Sequence, residues 1–309
     1  MVAALSRYYT PLRYPGGKAK LAGYVKEILK KNELVDGHYV EAYAGGAAVA
    51  IELLLHEYVR HIHVNDISRP LYKFWTSMLM QTDRFARKIR DTRLTVRVWD
   101  RHKNILRHAD EHDDLDVGFA FFFLNRTNRS GILNAGVIGG RDQTGNYGID
   151  ARYNAKELIT RVEAIANLRK RISVSNGDAL LFLRRLLPSL PKKSLIYLDP
   201  PYYVKGKDLY PDHYGHKDHE QIARYVKGIR KHNWIVSYDD VGSVRKMYES
   251  FRGIRYGLNY SARESRSGQE VMYFCDGLDI PAVADSFTPL AHVPPACKKL
   301  GNCRRRCHS

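Results

Sequence analysis

Short apolar segments bounded by turn residues recur along this chain and alternate with helical patterns. Seven such segments are typical of buried strands: HYVEAYAGG, HIHVNDI, ISVSNGDA, LIYLDPPYY, NWIVSYDD, GIRYGLNYSA and EVMYFCDG. Between several of them lie patterns that fit helices, such as AAVAIELLLHEYV and HEQIARYVKGIRKH. Because strands that alternate with helices form parallel sheets covered on both faces, the sequence predicts an α/β fold with a mostly parallel sheet.

The alternation stops in a long interval that is rich in helix formers and charge, and its size indicates an inserted second domain. Within it, FAFFFLNRTNRSGILNAGVIGGRDQTGNYGIDARYN passes from an apolar run into a glycine-rich part. Tight turns or an exposed hairpin are predicted at its glycines, Gly136, Gly139, Gly140 and Gly145. We predict one domain split between residues 1–70 and 171–280, an insertion at 71–170, and a basic, mobile tail at 281–309.

The charge balance favours a polyanionic partner. The chain has 50 Lys and Arg against 33 Asp and Glu, a net charge of +17 and a pI of about 9.6, which favours nucleic acid before a membrane surface. No apolar run approaches the roughly 18 residues of a membrane helix, and the N-terminus lacks an apolar signal core. We therefore expect a cytoplasmic protein without a membrane partner.

Neither the cysteines nor the histidines predict a metal site. The four cysteines provide no disulfide framework for a chain this long, and CKKLGNCRRRCHS matches no common structural zinc spacing. His213, His216 and His219 lie three apart in DHYGHKDHE. We interpret that stretch as a loop over the site that leads into a helix capped by Asp218.

Acidic residues follow three separate strand-like segments: Asp66, Asp178 and Asp199. One acid at a strand end is commonplace, since Asp66 could cap the following helix and Asp199 could lie in a solvated turn. Because the carboxyl ends of parallel strands meet at one edge of a sheet, three such acids predict a polar, ligand-binding crevice.

The stretch VEAYAGGAAVAIELL consists of a strand, an acid at Glu41, the pair Gly45 and Gly46, and a helix. Glycines let a ligand approach the backbone, and a helix start offers free N–H groups. The stretch is not a GxGxxG motif, so it favours a small adenosine-containing ligand over a pyrophosphate. Asp66 follows at roughly the twenty-residue spacing of a ribose-binding acid. A purely structural turn is the alternative.

These motifs, in this order, resemble the Dam-like (D12 class) N6-adenine DNA methyltransferases. PLRYPGGK resembles the opening motif of that family, VEAYAGGAAVA its cofactor loop, VNDIS its ribose-binding acid and LDPPY its catalytic motif. LNRTNRSGILN followed by ARYN is similar to a segment of its recognition region. The resemblance extends to about Asp279. Tyr14 replaces a frequent tryptophan and Tyr43 a frequent phenylalanine, so both positions stay aromatic.

The resemblance implies a Rossmann-like methyltransferase sheet with its last strand antiparallel and a mainly helical target-recognition insertion that contains a glycine-rich hairpin. It implies site-specific transfer of a methyl group from S-adenosyl-L-methionine to N6 of an adenine flipped out of double-stranded DNA, without a metal, in a prokaryotic or phage setting. Transfer to RNA or to cytosine N4, or a catalytically silent DNA-binding homologue, are the alternatives. The recognised sequence, the oligomeric state and a partner restriction endonuclease stay open.

The same resemblance assigns roles to individual residues. The catalytic set is Asp199, Pro200, Pro201 and Tyr202. The cofactor-binding set is Tyr14, Gly16, Gly17, Lys18, Glu41, Tyr43, Gly45, Gly46, Asp66, Asp178 and Asp199. The DNA-binding set is Arg126, Asn128, Arg129, Arg141 and Arg152. Lys18 would line the methionine end of the cofactor, although a surface lysine at a helix entry is its alternative explanation.

Overall fold

The computed structural model describes residues 9–13, 18–203, 214–258, 268–282 and 287–289. Eight strands in these ranges form one sheet. The strands are β1 (Gly37–Glu41), β2 (Val59–Asp66), β3 (Ile172–Asn176), β4 (Ser194–Leu198), β5 (Asn233–Asp239), β6 (Arg252–Leu258), β7 (Gly268–Phe274) and β8 (Phe287–Pro289).

Ten α-helices lie in the same ranges. They are α1 (Ala22–Lys31), α2 (Ala48–Leu55), α3 (Arg69–Met80), α4 (Thr82–Asp91), α5 (Val96–Arg107), α6 (Asp114–Thr127), α7 (Ala155–Ala166), α8 (Ala179–Leu186), α9 (His216–Lys227) and α10 (Gly242–Met247). Short 3₁₀ turns occupy Lys18–Leu21, Ala109–Glu111, Arg129–Gly131 and Arg169–Arg171. None of the helices in the described part of the chain has the length and apolar character that a membrane crossing requires.

The sheet confirms the predicted α/β architecture. Its strand order is β3-β2-β1-β4-β5-β7-β6-β8, and the five strands from β3 to β5 in that order are parallel. Strand β7 inserts antiparallel between β5 and β6. The sequence prediction did not include β8, which pairs with β6 inside the segment assigned to a tail. A strand of three residues that ends in proline has too little periodicity to be recognised, and it suits the sheet edge.

The direction of the chain connections reverses between β1 and β4. From β1 the chain proceeds outward to β2 and β3 on one side, and from β4 it proceeds to β5 on the other. In the β1–β4 register Glu41 lies opposite Tyr197, so the residues that follow β4 emerge beside the end of β1. Every residue of β4 is buried, as expected for a central parallel strand covered on both faces. In open α/β sheets, ligands bind at such a switch point.

The residues between β2 and β3 form helices α3 to α7, as the inserted helical domain requires. Helix α6 is apolar on every side, so it must be surrounded by other elements. Its Phe122 stacks on Phe74 of α3, with ring centroids 5.9 Å apart and planes inclined by 5°. Helix α3 also contacts β2 and β3, so the insertion is packed against the sheet. The boundaries at residues 71 and 170 stay a prediction.

The predicted glycine-rich hairpin is reduced to one antiparallel bridge, between Asn128 and Val137. Turns make up most of the rest of the segment, because three of its glycines adopt left-handed backbone conformations that interrupt a ladder. Their φ angles are 76° at Gly131, 84° at Gly139 and 79° at Gly140.

The close crossing of α3 and α6 predicts a stability difference between two helical glycines. A Cβ on Gly118 would lie 2.5 Å from the carbonyl oxygen of Lys73, whereas a Cβ on Gly23 of α1 would meet nothing within 4 Å. Gly118→Ala should lower the free energy of unfolding by about 1–3 kcal/mol. Gly23→Ala should raise it by about 0.5–1 kcal/mol because alanine favours the helix. Urea unfolding measures both, and a Gly118→Ala protein as stable as wild type would contradict the close crossing.

Candidate functional site

Four acids lie at one edge of the sheet, where four neighbouring parallel strands end. Glu41 closes β1 and Asp66 closes β2, while Asp178 and Asp199 follow β3 and β4. Asp178 also begins α8, where its Oδ1 accepts a hydrogen bond of 2.9 Å from the backbone N–H of Leu181. The structure therefore brings together four of the predicted site residues.

The glycine turn after β1 is tied to the acid that closes β2. The backbone N–H of Gly45 donates to Asp66 Oδ2 at 3.0 Å, and that of Ser68 donates to Asp66 Oδ1 at 2.9 Å. Gly45 has a φ of 48° and Ala47 a φ of 46°, so the turn is left-handed on both sides of Gly46. The turn leads directly into the start of α2, and glycine is the residue type that lets a ligand approach a backbone of this kind closely.

The N-terminal segment reaches the same turn. Thr10 Oγ1 donates to the carbonyl oxygen of Gly46 at 2.6 Å. Tyr43 lies edge-on to Tyr214, with ring centroids 6.1 Å apart. Three predicted cofactor residues of the N-terminal segment, Tyr14, Gly16 and Gly17, lie outside the described residues.

Desolvation changes the protonation of two of the acids at this edge, Glu41 and Asp66. Glu41 is 4% exposed, and its Oε1 accepts a hydrogen bond of 3.1 Å from the backbone N–H of Ala50. Burial raises the pKa of Glu41 to about 8, although the Ala50 hydrogen bond opposes the shift. Burial also raises the pKa of Asp66, against the hydrogen bonds from Ser68 and Gly45. Desolvation therefore favours the protonated form of both carboxyls, and it does so strongly for Glu41.

One buried acceptor beside the glycine turn has no partner in the described part of the chain. Asn65 is 1% exposed and donates through Nδ2 to the carbonyl oxygens of Ala42 and Gly177, but its Oδ1 accepts no hydrogen bond. An unpaired buried acceptor is costly. Together with the glycine turn and Asp66, it fits a polar ligand that carries hydroxyl and amine donors.

The turn after β4 presents free acceptors. Both polar contacts of the Asp199 carboxylate fall on Oδ1, which receives a hydrogen bond of 2.6 Å from Ser237 Oγ and an ion pair of 2.9 Å from Lys18 Nζ. No group in the described ranges donates to Asp199 Oδ2 or to the Pro200 carbonyl oxygen. Pro201 and Tyr202, which complete the predicted catalytic set, are half-buried.

Lys18 is not a surface lysine, because its side chain is 17% exposed and its ammonium lies between two carboxylates. Nζ is 2.9 Å from Asp199 Oδ1 and 2.7 Å from Glu270 Oε2. Burial lowers the pKa of Lys18, but the charge of Asp199 and further contributions, including that of Glu270, raise it well above its usual value. Burial raises the pKa of Asp199, opposed by Lys18 and reinforced by Glu270. Lys18 therefore stays charged and pairs with the turn after β4.

Glu270 was not identified from the sequence. Its side chain on β7 is 1% exposed, and it accepts hydrogen bonds of 2.9 Å from Tyr202 and 2.7 Å from Tyr256. Ser237 was also missed, and its Oγ is 2.8 Å from the hydroxyl of Tyr197. In the sequence, each of these residues is a polar residue inside an otherwise apolar strand pattern. This pattern suggests a functional role, but it does not predict which strands become neighbours in the sheet.

The stretch predicted as a loop over the site is described only in part, since residues 204–213, including His213, lie outside the described ranges. Tyr203 contacts His216 Nδ1 at 2.7 Å, and His219 Nδ1 is 3.2 Å from the hydroxyl of Tyr238. Asp218 accepts the backbone N–H of Gly215 at the start of α9, as predicted for a cap. Among residues that the structure describes, no group of three or more His, Cys, Asp or Glu side chains could hold a metal ion.

The predicted DNA-binding arginines differ in their surroundings. Arg129 is exposed and forms no ion pair with a described residue. Arg141 is exposed and forms a bidentate ion pair with Asp100, with two hydrogen bonds of 2.9 Å each. Arg152 lies over the ring of Tyr147, 5.9 Å from its centroid.

Arg126 belongs to a crowded cationic group. Its Nε donates to the carbonyl oxygen of Arg152 at 2.7 Å. Burial lowers the pKa of Arg126 to about 9, and the positive charges of Arg13, Arg161 and Arg152 add to that shift. Like charges that lower each other's pKa are relieved by an anion.

The prediction that Asn128 contacts DNA is wrong, because its side chain is fully buried and engaged within the protein. Nδ2 donates to the carbonyl oxygens of Ile132 and Leu133, each at 2.9 Å. Oδ1 accepts a hydrogen bond of 2.6 Å from Trp99 Nε1. Asn128 instead holds the loop that follows α6 against α5.

Comparison with known proteins identifies a family. Residues 14–261 match the family described as D12 class N6 adenine-specific DNA methyltransferase. The chain is 22% identical over 264 residues to the Type II methyltransferase M.MjaIII of Methanocaldococcus jannaschii, covering 78% of this chain and 88% of that protein.

Among solved structures, the chain is similar to the rRNA methyltransferase aviRa from Streptomyces viridochromogenes, with a TM-score of 0.36, 11% identity and coverage of 85% and 86% of the two chains. It is also similar to protein LPL1258 from Legionella pneumophila, with a TM-score of 0.37, 10% identity and the same coverage.

The raised pKa of Glu41 predicts a pH-dependent stability difference. The folded protein keeps a proton up to about pH 8 that an unfolded glutamate releases near 4.5. The contribution of this group to stability is therefore full below the unfolded pKa and is lost as the pH rises through the folded pKa. Between these values wild type should lose more unfolding free energy than Glu41→Gln, which cannot ionise. Urea unfolding across this range measures the difference, and parallel pH profiles would contradict the burial argument.

Proposed function

Because the chain belongs to the D12 class of N6-adenine-specific DNA methyltransferases, we propose that it transfers a methyl group from S-adenosyl-L-methionine to N6 of an adenine flipped out of double-stranded DNA. The observation that carries this proposal is the turn after β4. Lys18 and Ser237 hold one oxygen of Asp199, while Oδ2 and the Pro200 carbonyl oxygen have no donor among the described residues.

Two free acceptors at one turn suit the chemistry of an aromatic amine. The lone pair of adenine N6 is delocalised into the ring, so the amine is a poor nucleophile. Hydrogen bonds from its two N–H groups to Asp199 Oδ2 and to the Pro200 carbonyl oxygen would favour a pyramidal nitrogen. They would also stabilise the positive charge that develops there during transfer. Proline restricts the backbone of this turn, so the carbonyl acceptor is held in place before the substrate arrives.

The edge beside this turn supports cofactor binding. When bound, S-adenosyl-L-methionine supplies the methyl group on a positively charged sulfur. Asp66 would accept hydrogen bonds from the ribose hydroxyls, the Gly45–Gly46 turn would admit the ligand to the backbone, and Asp178 would lie near the adenine ring. The excess of carboxylates over ammonium groups at this edge favours a cationic ligand.

Tyr202 would stack on the target base. Adenine N6 is paired inside a duplex, so the base must leave the stack, at a cost of a few kcal/mol. An aromatic side chain beside the acceptors offsets part of that cost. The hydroxyl of Tyr202 is bonded to buried Glu270, which limits the directions that the ring can adopt.

The arginines of the insertion supply the attraction to DNA. Arg129 and Arg152 would contact phosphates, or guanine through two hydrogen bonds. Arg126 and Arg13 share a cationic group that one phosphate would relieve. The net charge of +17 adds a sequence-independent attraction that weakens as salt rises.

The direct test is incubation of the protein with methyl-labelled S-adenosyl-L-methionine and unmethylated genomic DNA, followed by nucleoside analysis and mapping. Labelled N6-methyladenine in one short sequence is the expected result. Label in RNA or at cytosine N4, or bound cofactor without transfer, would contradict the proposal.

Replacement of the acceptor carboxylate should stop transfer without removing binding. Asp199→Asn should lower kcat by about 10²–10³-fold, the size of effect seen when one preorganised group is lost from a charge-stabilising site. DNA affinity, measured by fluorescence anisotropy, should change little. Cofactor affinity, measured by calorimetry, should fall far less than kcat, because Asp199 is one of eleven residues assigned to cofactor binding. Asp36→Asn is the matched control because Asp36 is 59% exposed in a surface pair with Arg60. Wild-type activity in Asp199→Asn would exclude the proposed role.

The exposed arginines of the insertion should contribute to the salt dependence of DNA binding. Arg129→Ala and Arg141→Ala should each weaken binding and reduce the slope of log K against log salt by about 1. The effect of Arg141→Ala should be smaller, because Asp100 already neutralises that guanidinium. Arg60→Ala is the control, since Arg60 is exposed near the opposite end of β2. An unchanged slope in both variants would remove these arginines from the interface.

A further inference from the structure

Glu270 is a buried carboxylate that contacts the catalytic turn from a strand far along the chain. It lies on β7, directly opposite Asp239 of β5 and Tyr256 of β6 in the register of the sheet. Its Oε2 is 2.7 Å from both Lys18 Nζ and the hydroxyl of Tyr256, and its Oε1 accepts the hydroxyl of Tyr202 at 2.9 Å. Burial of a carboxylate costs several kcal/mol unless such donors compensate it.

The ammonium of Lys18 is shared. It lies 2.7 Å from Glu270 and 2.9 Å from Asp199, so one positive charge faces two carboxylates. If Asp199 were its only partner, the ion pair would neutralise the acceptor more completely. Glu270 competes with Asp199 for this ammonium, so more of the acceptor strength of Asp199 remains for the positive charge that develops on an attacking amine.

We propose that Glu270 is a positioning residue for methyl transfer: it draws the Lys18 ammonium partly away from Asp199 and fixes the ring of Tyr202 through its hydroxyl. This inference rests on the proposed function. Glu270 touches neither substrate nor cofactor in this scheme. It acts through the acceptor strength of Asp199 and through the orientation of the ring on which the base stacks.

The pH dependence of transfer separates this role from a merely structural one. Asp199 must be ionised to act as an acceptor, so its pKa sets the acidic limb of the kcat profile. Its titratable neighbours on the elements packed around it are Lys18, Glu270, Tyr197, Tyr256, Tyr39 and Glu41. After burial and the opposing effect of Lys18, the like charge of Glu270 raises the pKa of Asp199. Without the charge of Glu270, the acidic limb of the kcat profile should move to lower pH, and the plateau value of kcat should fall.

The experiment measures kcat and KM for DNA across pH for wild type, Glu270→Gln, Glu270→Asp and Glu249→Gln. Glu270→Gln should lower the plateau kcat by about 10–100-fold, as loss of an outer-shell partner does at metal sites, and should shift the acidic limb downward with little change in KM. Glu270→Asp retains the charge, so its limb should stay near that of wild type. Glu249 is exposed at the end of α10, and its variant should match wild type in both readouts.

Two further measurements keep the outcomes distinct. Thermal unfolding reports whether each variant folds. Tyr202→Phe removes the hydrogen bond from the Tyr202 hydroxyl to Glu270 without altering a charge. It should therefore lower kcat and leave the acidic limb of the pH profile in place. A Glu270→Gln protein with wild-type kcat and an unmoved limb would overturn the inference and leave the proposed function intact. If the Glu270 variants fail to fold, equal kcat in wild type and Tyr202→Phe would overturn it. A wild-type protein that transfers no methyl group to DNA would overturn both this inference and the proposed function.

Discussion

The parallel pairing of β1 with β4 is the constraint on which the site depends. It joins the two parts of the chain that the helical insertion separates, and its register places Glu41 opposite Tyr197. Asp199 therefore emerges just beyond the end of β1. The neighbouring strands add Asp66 on one side and Ser237 on the other. Because β4 is buried along its whole length, it cannot shift its register without exposing apolar side chains, so the turn that follows it is held in place.

Closely spaced acids define the electrostatics of this edge. Glu41 avoids the cost by holding a proton, whereas Asp199 and Glu270 share Lys18. Burial of such charged groups lowers the stability of the fold, and replacing them with apolar residues is often neutral or stabilising. Such a group would be complementary to a positively charged species, and the proposed reaction contains two: the sulfonium of the cofactor and the amine during methyl transfer.

Several arginines lie on or beside the insertion. Arg129, Arg141 and Arg152 lie on the turns that follow α6, and Arg126 and Arg13 form a crowded group beside them. Under the proposed function, these arginines would attract the DNA backbone, while the acids of the sheet edge would favour a cationic cofactor.

Much of the fold was determined by the sequence itself. Continuous apolar segments ending in acids predict parallel strands whose carboxyl ends share one edge, and the structure contains all seven predicted strands. The glycine turn and the acids Asp66, Asp178 and Asp199 were identified because local patterns specify turns and strand ends. Contacts between side chains on distant strands were decided only by tertiary structure. Glu270 reads as one acid in an apolar strand, and Asn128 as an exposed polar residue, until the neighbours that packing brings to them are known. Local patterns specify where a strand ends, but long-range burial decides which polar atoms are left to meet there.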